Sequence, residues 1–364
     1  MVKALYLHVP FCDTICAYCD FARCKTHPQL VEAWLNAIEK EINEKKMNQE
    51  LRSIYIGGGT PTALNVEQLT RLLCMLEPYT QHVKEYTLEA NIENLDEAKL
   101  KVMKQFKINR ISLGVQSFNE RLLKIIERHH TQKQVEDMIY LIDKIGIHNI
   151  SIDLIYALPT QSMEEWEEDL RIACTHPKIS HVSLYSLTIE EHSKFAREHV
   201  QATDNELEGK MFDKAMAICK EAGFNHYEIS NFARSNAESI HNQCYWDYED
   251  FYGLGSGASG KENHVRYTHA FTLDKYLKGI DEIEKVQLSL QEEAFERIMM
   301  GLRMKRGIDI HLYHQQYGID LTLEYKTVIE QFITKKWLLL SNNHLCPTEL
   351  GMSFLNEILL AFMN

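Results

Sequence analysis

Residues 6–21 read YLHVPFCDTICAYCDF and contain three cysteines, Cys12, Cys16 and Cys19, in a C-x3-C-x2-C arrangement. A short apolar run over residues 4–9 precedes them, so the cysteines are predicted to lie in a loop directly after a strand. Thiolates are soft ligands that bind iron–sulfur clusters or zinc. Three thiolates leave one iron of a cubane cluster without a protein ligand. An open coordination position is typical of a metal site that takes part in chemistry.

Zinc is the alternative metal for this loop, with Cys24 or a histidine as the fourth ligand. The C-x3-C-x2-C spacing is not that of a paired zinc knuckle, and no second C-x2-C pair follows nearby. The spacing therefore favours a cluster over zinc. Cys74, Cys174 and Cys219 fall within helical patterns and are interpreted as buried apolar side chains.

Outward from the loop, the first two-thirds of the chain alternates β-rich runs with amphipathic helical patterns. Capping boxes are predicted at the start of several of these helices, at Asn65, Asn94, Thr131 and Ser162. Repeated strand–helix units predict parallel strands joined by crossover helices. The predicted fold class is α/β, an open partial (βα)6 barrel, with a doubly wound sheet as the alternative. In a barrel, functional side chains lie at the C-terminal ends of the strands. The predicted strands are residues 4–9, 53–56, 85–90, 110–114, 149–155 and 181–187, and the predicted helices are 29–45, 66–76, 95–106, 120–127, 132–145, 163–174 and 205–222.

The chain is predicted to divide into a barrel core over residues 1–230, a connecting segment rich in glycine and aromatic residues over 231–288, and a mainly helical module over 289–364. The glycine-rich run at 253–260 predicts close turns, because glycine adopts conformations that end a helix.

The C-terminal module is predicted to resemble a winged helix. Helical patterns cover residues 292–304, 323–336 and 348–362, and a hairpin around Asn342 and Asn343 is predicted between the last two.

Composition narrows the classes of function. The net charge of −13 argues against broad nucleic-acid binding, which requires a basic surface. No export signal and no apolar run of about 18 residues is found, so a cytoplasmic protein without a transmembrane segment is expected. Nine cysteines without an export signal do not indicate a disulfide framework.

A second motif, IGGGTP at residues 56–61, follows the second predicted strand. Glycines allow the backbone to approach a ligand closely, so the glycine amides, including those of Gly58 and Gly59, and the Thr60 hydroxyl could bind a carboxylate or an amine. An ordinary turn between strand and helix is the alternative interpretation.

Four polar residues lie near the ends of later predicted strands or in the loops beyond: Glu89, Gln116, Arg128 and Asp153. Taken singly, such residues are more often helix caps or surface groups than ligands. Asp153 is distinct because it is a charge within an apolar strand. An unpaired buried charge is costly, so we expect Asp153 to have a partner.

The cysteine loop, with Tyr18 directly before the third cysteine, resembles the signature of radical S-adenosylmethionine (SAM) proteins. The resemblance implies a [4Fe–4S] cluster on Cys12, Cys16 and Cys19, whose open iron is chelated by the amino and carboxylate groups of SAM. It also implies that the glycine-rich strand end, here Gly58 to Thr60, receives the SAM amino group.

Together these segments resemble a narrower branch, the oxygen-independent coproporphyrinogen oxidases and the related HemW haem chaperones. The resemblance implies that the binding sites of one or two SAM molecules are lined by Tyr6, Glu89, Gln116, Arg128 and Asp153.

Three features favour the HemW side of this branch. Phe21 stands where the oxidases have a fourth cysteine, residues 241–246 form an H-N-x-x-Y-W motif, and an N-terminal extension like that of the oxidases is not expected. The expected function is therefore that of a haem chaperone, with a coproporphyrinogen oxidase or another radical SAM enzyme as the alternatives.

The H-N-x-x-Y-W motif offers His241 as a ligand for haem iron, with aromatic rings that could cover a porphyrin face. Cys244 could instead offer a thiolate, and a purely structural role for the motif is the third interpretation. The expected partners are haem, haem-accepting respiratory proteins and an electron donor to the cluster. A homodimer and a peripheral membrane contact are further expectations.

Overall fold

The computed structural model describes residues 2–279 and 284–363. Residues 1, 280–283 and 364, which fall within the predicted domain ranges, lie outside the described part of the chain.

Six parallel strands, rich in Val, Ile and Leu, form the centre of the fold in the order β1-β4-β5-β6-β7-β8. Such apolar runs suit strands that are covered on both faces. Two very short strands, β2 and β3, pair in parallel within the cysteine loop. The strands are β1 (Ala4–Val9), β2 (Phe11–Cys12), β3 (Cys24–Lys25), β4 (Ser53–Gly58), β5 (Glu85–Asn91), β6 (Arg110–Gln116), β7 (Asn149–Tyr156) and β8 (His181–Ser186).

Helices connect these strands, as the sequence predicts. Three of the predicted capping boxes are present, at Asn65, Thr131 and Ser162. The box predicted at Asn94 is wrong, because Asp96 caps that helix by accepting from the amide of Lys99. The helices are α1 (Pro28–Lys45), α2 (Val66–Leu76), α3 (Glu97–Gln105), α4 (Glu120–Ile125), α5 (Gln132–Ile145), α6 (Met163–Thr175), α7 (Lys194–Arg197) and α8 (Asn205–Glu221).

The sheet continues beyond the six strands on both sides, which keeps the barrel open. The outer neighbour of β8 is β10, which pairs antiparallel, and the outer neighbour of β1 is β11, which pairs in parallel. An antiparallel meander then extends the β11 side. The elements of this region are β9 (Asn225–Glu228), β10 (Asn231–Ala233), α9 (Ile240–Trp246), β11 (Phe251–Leu254), β12 (Ser259–Glu262), β13 (Val265–Thr268), α10 (Leu273–Leu277) and β14 (Glu284–Gln287).

The C-terminal module encloses a hydrophobic core of its own, which includes Tyr313, Phe332 and Ile358. The predicted hairpin is present, and Asn342 and Asn343 at its turn both have positive φ. The elements are α11 (Leu290–Gly301), β15 (Ile308–Asp309), α12 (Ile310–Tyr317), α13 (Leu321–Glu324), α14 (Lys326–Thr334), β16 (Leu338–Ser341), β17 (His344–Pro347), α15 (Glu349–Ser353) and α16 (Leu355–Phe362).

Two helices predicted in this module are each divided in the structure. The predicted helix 323–336 is interrupted at Tyr325 and the predicted helix 348–362 at Phe354. None of the helices in the described ranges is both long and apolar enough to cross a bilayer.

Candidate functional site

The C-terminal ends of the barrel strands surround a cavity of about 590 Å³. This volume lies in the range that encloses one small-molecule ligand. Tyr6 and His241 are not part of the wall. The wall includes the other predicted site residues: Cys12, Cys16, Cys19, Gly58, Gly59, Thr60, Glu89, Gln116, Arg128 and Asp153.

Backbone hydrogen bonds close the cysteine loop at its base. The Cys24 amide donates to Pro10 O over 2.7 Å, and the Thr26 amide donates to Cys12 O over 3.0 Å. Burial raises the pKa of the Cys12 thiol to about 12. The Cys12 thiolate therefore requires a nearby positive charge, which a metal centre supplies.

The arrangement of the three thiols bears on the choice between zinc and a cluster. Within the described residues, no three Cys, His, Asp or Glu side chains converge on a point that would suit a single metal ion. A cubane cluster binds each thiolate at a different iron, so its ligands need not converge. Three thiols in one cavity wall are a donor set that a cubane cluster with one open iron can use.

The glycine motif packs directly against the cysteine loop. The Gly59 amide donates to Val9 O over 2.8 Å, and the Thr60 amide donates to Phe11 O over 2.7 Å. A Cβ on Gly59 would lie 2.8 Å from Phe11 O and 3.0 Å from Cys12 Sγ, so only glycine fits there.

These bonds correct one expectation about the motif. The amides of Gly59 and Thr60 are engaged within the protein and the Gly58 amide donates to Glu89, so these groups are not offered to a ligand. The motif can offer acceptors instead, as carbonyl oxygens and the Thr60 hydroxyl. Acceptors suit an ammonium group, which only donates.

Glu89 presents a carboxylate to the cavity, and two donors fix its orientation. Tyr55 Oη donates to one oxygen over 2.7 Å, and the Gly58 amide donates to the other over 3.0 Å. Burial raises the pKa of Glu89 to about 7, against the opposing effect of the Tyr55 hydrogen bond. The carboxylate could bind a ligand ammonium or ribose hydroxyls.

Asp153 has the partners that its position in an apolar strand requires. Ser112 Oγ lies 3.1 Å from both carboxylate oxygens, and the pKa of Asp153 is raised by burial. The buried guanidinium of Arg110 acts on it electrostatically from within the barrel. The sequence alone did not identify Ser112 or Arg110 as partners of Asp153.

Arg128 is held at the cavity wall by several acceptors. Its guanidinium donates to both oxygens of Glu93 over 3.0 Å, to Asn91 Oδ1 over 2.9 Å and to Gly114 O over 2.6 Å. This bonding fixes the guanidinium plane, so Arg128 supplies a rigid positive charge beside the cysteine loop.

Gln116 ends β6 at an irregularity in the register between β6 and β7. Its φ of 67° is unusual for a residue other than glycine. The strand is held just beyond this point by Asp169, which accepts from Ser117 Oγ over 2.6 Å and from the Phe118 amide over 2.7 Å. The bend directs the chain so that Gln116 lines the cavity.

Tyr6 lies on β1 and is not among the residues that line the cavity. Its hydroxyl is 2.9 Å from His8 Nδ1, and its ring centroid is 6.2 Å from that of Tyr55. His8 Nε2 is in turn 2.7 Å from Ala22 O at the end of the cysteine loop, so His8 is a core histidine bonded to backbone. A direct contact between Tyr6 and SAM stays a prediction.

His241 lies at the opposite end of the barrel, where the strands begin. Its Nδ1 is 3.0 Å from Ser53 Oγ and its Nε2 is 2.7 Å from Tyr245 Oη. The side chain is 1% exposed, and burial lowers its pKa to about 3. An axial haem ligand needs an available ring nitrogen and space for the macrocycle. Haem ligation by His241 stays a prediction that would require α9 to leave the barrel.

Glu85 is a further residue that sequence reasoning did not single out. It is 3% exposed and accepts from Ser239 Oγ over 3.1 Å, the Ile240 amide over 2.7 Å and the His241 amide over 3.0 Å. A carboxylate at a helix N-terminus satisfies amides that have no partner within the helix. Glu85 therefore fixes α9 across the N-terminal ends of β4 and β5.

Comparison with known proteins agrees with this geometry. The profile of the Radical SAM superfamily matches residues 6–173, and that of the HemN C-terminal domain matches residues 288–354. The fold and the three-cysteine loop are those of a radical SAM protein, a class that implies a [4Fe–4S] cluster and SAM.

Within this class, the chain belongs to the HemW family. It is 36% identical to a protein of Lactococcus lactis over 99% of this chain and 97% of the relative, and 34% identical to one of Bacillus subtilis over 100% and 99%. Both relatives are named heme chaperone HemW.

A solved structure shares the whole fold. Coproporphyrinogen III oxidase (HemN) from Escherichia coli matches with a TM-score of 0.85 over 99% of this chain and 90% of that chain. At 20% identity this likeness concerns the fold alone.

Proposed function

We propose that this protein is a haem chaperone that binds a [4Fe–4S] cluster, SAM and haem, and delivers haem to respiratory haem proteins. The observation that carries the proposal is the full-length likeness to the two proteins named heme chaperone HemW. The cavity beside the cysteine loop supports the cofactor part of the proposal, because its wall contains the thiols and every predicted SAM residue except Tyr6.

Cys12, Cys16 and Cys19 would hold the cluster at the cavity wall. The Thr60 hydroxyl donates to Cys12 Sγ over 3.6 Å, and hydrogen bonds to ligating sulfur tune a cluster's reduction potential. In radical SAM proteins, the bound cluster supplies the electron that cleaves SAM.

The remaining wall residues would bind and orient SAM. The carbonyl oxygens of the glycine motif and the carboxylate of Glu89 offer acceptors to the SAM ammonium group. Arg128, whose guanidinium is fixed by its pairing with Glu93, and the polar side chains of Gln116 and Asp153 also line the cavity. A contact between Tyr6 and SAM is also part of the proposal.

Phe21 gives a specific reason to favour the chaperone over the oxidase. The side chain lies in the cavity wall and is 64% exposed, at the position where the oxidases have a cysteine. A phenyl group offers an apolar contact and no thiol for redox or acid–base chemistry.

Haem ligation by His241 stays a prediction of the sequence, which the hydrogen bonds of both its ring nitrogens at the other end of the barrel do not favour. The cytoplasmic location, the electron donor, the acceptor proteins, the homodimer and the membrane contact stay predictions.

The first test is anaerobic reconstitution followed by haem titration. We expect iron and sulfide in roughly equal amounts and a shift of the haem Soret band on binding. Loss of the cluster in a Cys12/Cys16/Cys19→Ala variant would support the ligand assignment.

Two outcomes would contradict the proposal. Formation of protoporphyrinogen from coproporphyrinogen, with SAM and a reductant, would identify an oxidase. Absence of a Soret shift with both cluster-free and cluster-loaded protein would indicate another radical SAM enzyme.

A further inference from the structure

We propose that the H-N-x-x-Y-W segment, residues 241–246, is a positioning element for the SAM site and acts on Glu89 through Tyr55. The inference rests on the proposed binding of SAM in the cavity. It gives the motif a role that needs no direct contact with haem or SAM.

The first step is the attachment of the segment to the barrel. Glu85 accepts three hydrogen bonds from the start of α9, and Ser53 bonds His241. Both anchoring residues are the first residues of their strands and are almost fully buried. The segment therefore closes the N-terminal end of the barrel in a fixed position.

The second step is the contact between the segment and Tyr55. The His241 ring stacks on the Tyr55 ring with centroids 5.0 Å apart and an interplanar angle of 29°. The Tyr245 ring packs edge-on against His241, with centroids 4.9 Å apart, and against Phe251, with centroids 4.6 Å apart. Because both nitrogens of the His241 ring are in hydrogen-bonding contact with other side chains, the ring has a fixed position and limits the movement of the Tyr55 ring that stacks on it.

The third step is the hydrogen bond from Tyr55 to the cavity. Tyr55 Oη donates to Glu89 Oε1 over 2.7 Å, while the Gly58 amide holds Oε2. A lateral movement of the Tyr55 ring would break this bond or turn the carboxylate. The position of α9 is thus coupled, through two direct contacts, to a carboxylate in the wall of the SAM cavity.

The competing explanation is that the segment only stabilises the N-terminal end of the barrel. The pH dependence of SAM binding distinguishes this role from the positioning role. The Tyr55 hydrogen bond stabilises the ionised form of Glu89, whose pKa burial raises to about 7. Loss of the Tyr55 hydroxyl should raise that pKa further, so SAM binding that needs the carboxylate should shift to higher pH. The titratable and charged groups that face Glu89 are Tyr6, Tyr55, Arg110, Asp153, Tyr185 and Tyr245.

The experiment uses the anaerobically reconstituted full chain and measures the Kd for SAM by equilibrium dialysis between pH 6 and 9. The variants are Tyr55→Phe, His241→Ala and the double substitution. Tyr86→Phe is the matched control, since Tyr86 is a buried tyrosine of β5 whose hydroxyl has no hydrogen-bond partner among the described residues. Cluster content and the EPR signal of the reduced cluster are recorded for each variant.

We expect Tyr55→Phe and His241→Ala each to raise the Kd by about tenfold near pH 7, the size expected for one hydrogen bond to a charged group. The loss of SAM-binding free energy in the double variant should be smaller than the sum of the two single losses, because both substitutions disturb the same series of contacts from His241 through Tyr55 to Glu89. The midpoint of the pH profile should move upwards in Tyr55→Phe and stay unchanged in Tyr86→Phe.

Wild-type Kd and pH midpoint in Tyr55→Phe, with full cluster content, would overturn the inference while leaving the proposed function intact. Failure of the wild-type protein to bind SAM would instead overturn the proposed cofactor and, with it, this inference. A His241→Ala variant that fails to fold leaves Tyr55→Phe as the deciding measurement.

Discussion

Thr60 links the glycine motif to the cysteine loop through a single hydroxyl. It donates to Cys12 Sγ over 3.6 Å and accepts from Asn91 Nδ2 over 2.9 Å. Glycine at position 59 permits the close approach of the motif to the cysteine loop, and Thr60 adds a hydrogen bond to the sulfur of Cys12.

We expect Thr60→Val to make the reduction potential of the bound cluster more negative, by roughly tens of millivolts, because a hydrogen bond to a ligating sulfur is lost. A redox titration followed by EPR measures the change. Thr87→Val is the control, since the buried Thr87 hydroxyl has no partner among the described residues. A potential that is unchanged in Thr60→Val would exclude the proposed effect of this hydroxyl.

Both ring nitrogens of His241 are engaged in hydrogen bonds, and its side chain is 1% exposed. We therefore expect the Kd for haem of His241→Ala to stay within about twofold of the wild-type value, well below the tenfold change that 1.4 kcal/mol of binding free energy would produce. A Soret titration beside the wild-type protein measures this. Loss of the Soret shift would restore His241 as the axial ligand.

At the scale of elements, α9 depends on a buried carboxylate from another strand. Glu85 caps the helix with three hydrogen bonds and acts electrostatically on the buried Arg110. We expect Glu85→Gln to lower the free energy of unfolding by roughly 2–3 kcal/mol, because the amide keeps only one acceptor and leaves Arg110 with less compensation. Denaturant unfolding measures the loss.

The control for this substitution lies in the same region. Glu238 is exposed and accepts from Gln243 Nε2 over 3.0 Å, so Glu238→Gln should change stability by less than about 0.5 kcal/mol. Equal effects of the two substitutions would show that Glu85 is not a specific anchor of α9.

The elements that could be predicted are those with strong periodicity. β1, α2 and α5 begin and end where the sequence pattern places them. The meander was not predicted, because a strand such as β12, with the sequence SGKE, has no alternation of apolar and polar residues.

The site was predictable in composition but not in its connections. The cysteine spacing and the glycine motif identify residues that share one wall, since both follow strands of a parallel barrel. The bond between Tyr55 and Glu89 depends on the register of β4 and β5, in which Tyr55 lies opposite Thr87. Sequence periodicity does not fix that register, so the connection through Tyr55 could not be foreseen.

At the scale of the whole molecule, Glu228 lies where the barrel meets the C-terminal module. Its backbone forms an isolated antiparallel β-bridge with Met304. The side chain is fully buried, and burial raises its pKa to about 8. The folded protein therefore binds a proton that the unfolded chain releases above about pH 4.5. Stability should fall as the pH rises from about 4.5 to 8 and level off above that range.

Glu228→Gln mimics the protonated side chain and should remove this loss. We expect the variant to be more stable than the wild type at pH 8, by a few kcal/mol at most, and close to it at pH 5. The charged and titratable neighbours that act on the group are Tyr185, Tyr227 and Arg303. Equal pH dependence of unfolding in both proteins would contradict the assignment.

The most direct test of the proposed function is haem transfer under anaerobic conditions. The cluster-loaded, haem-bound protein is mixed with a haem-depleted respiratory cytochrome, and the Soret spectrum and acceptor activity are followed with and without SAM. We predict that haem moves to the acceptor and restores its activity, faster than from free haem at the same concentration. An acceptor that gains haem no faster from the protein than from free haem would contradict the chaperone assignment.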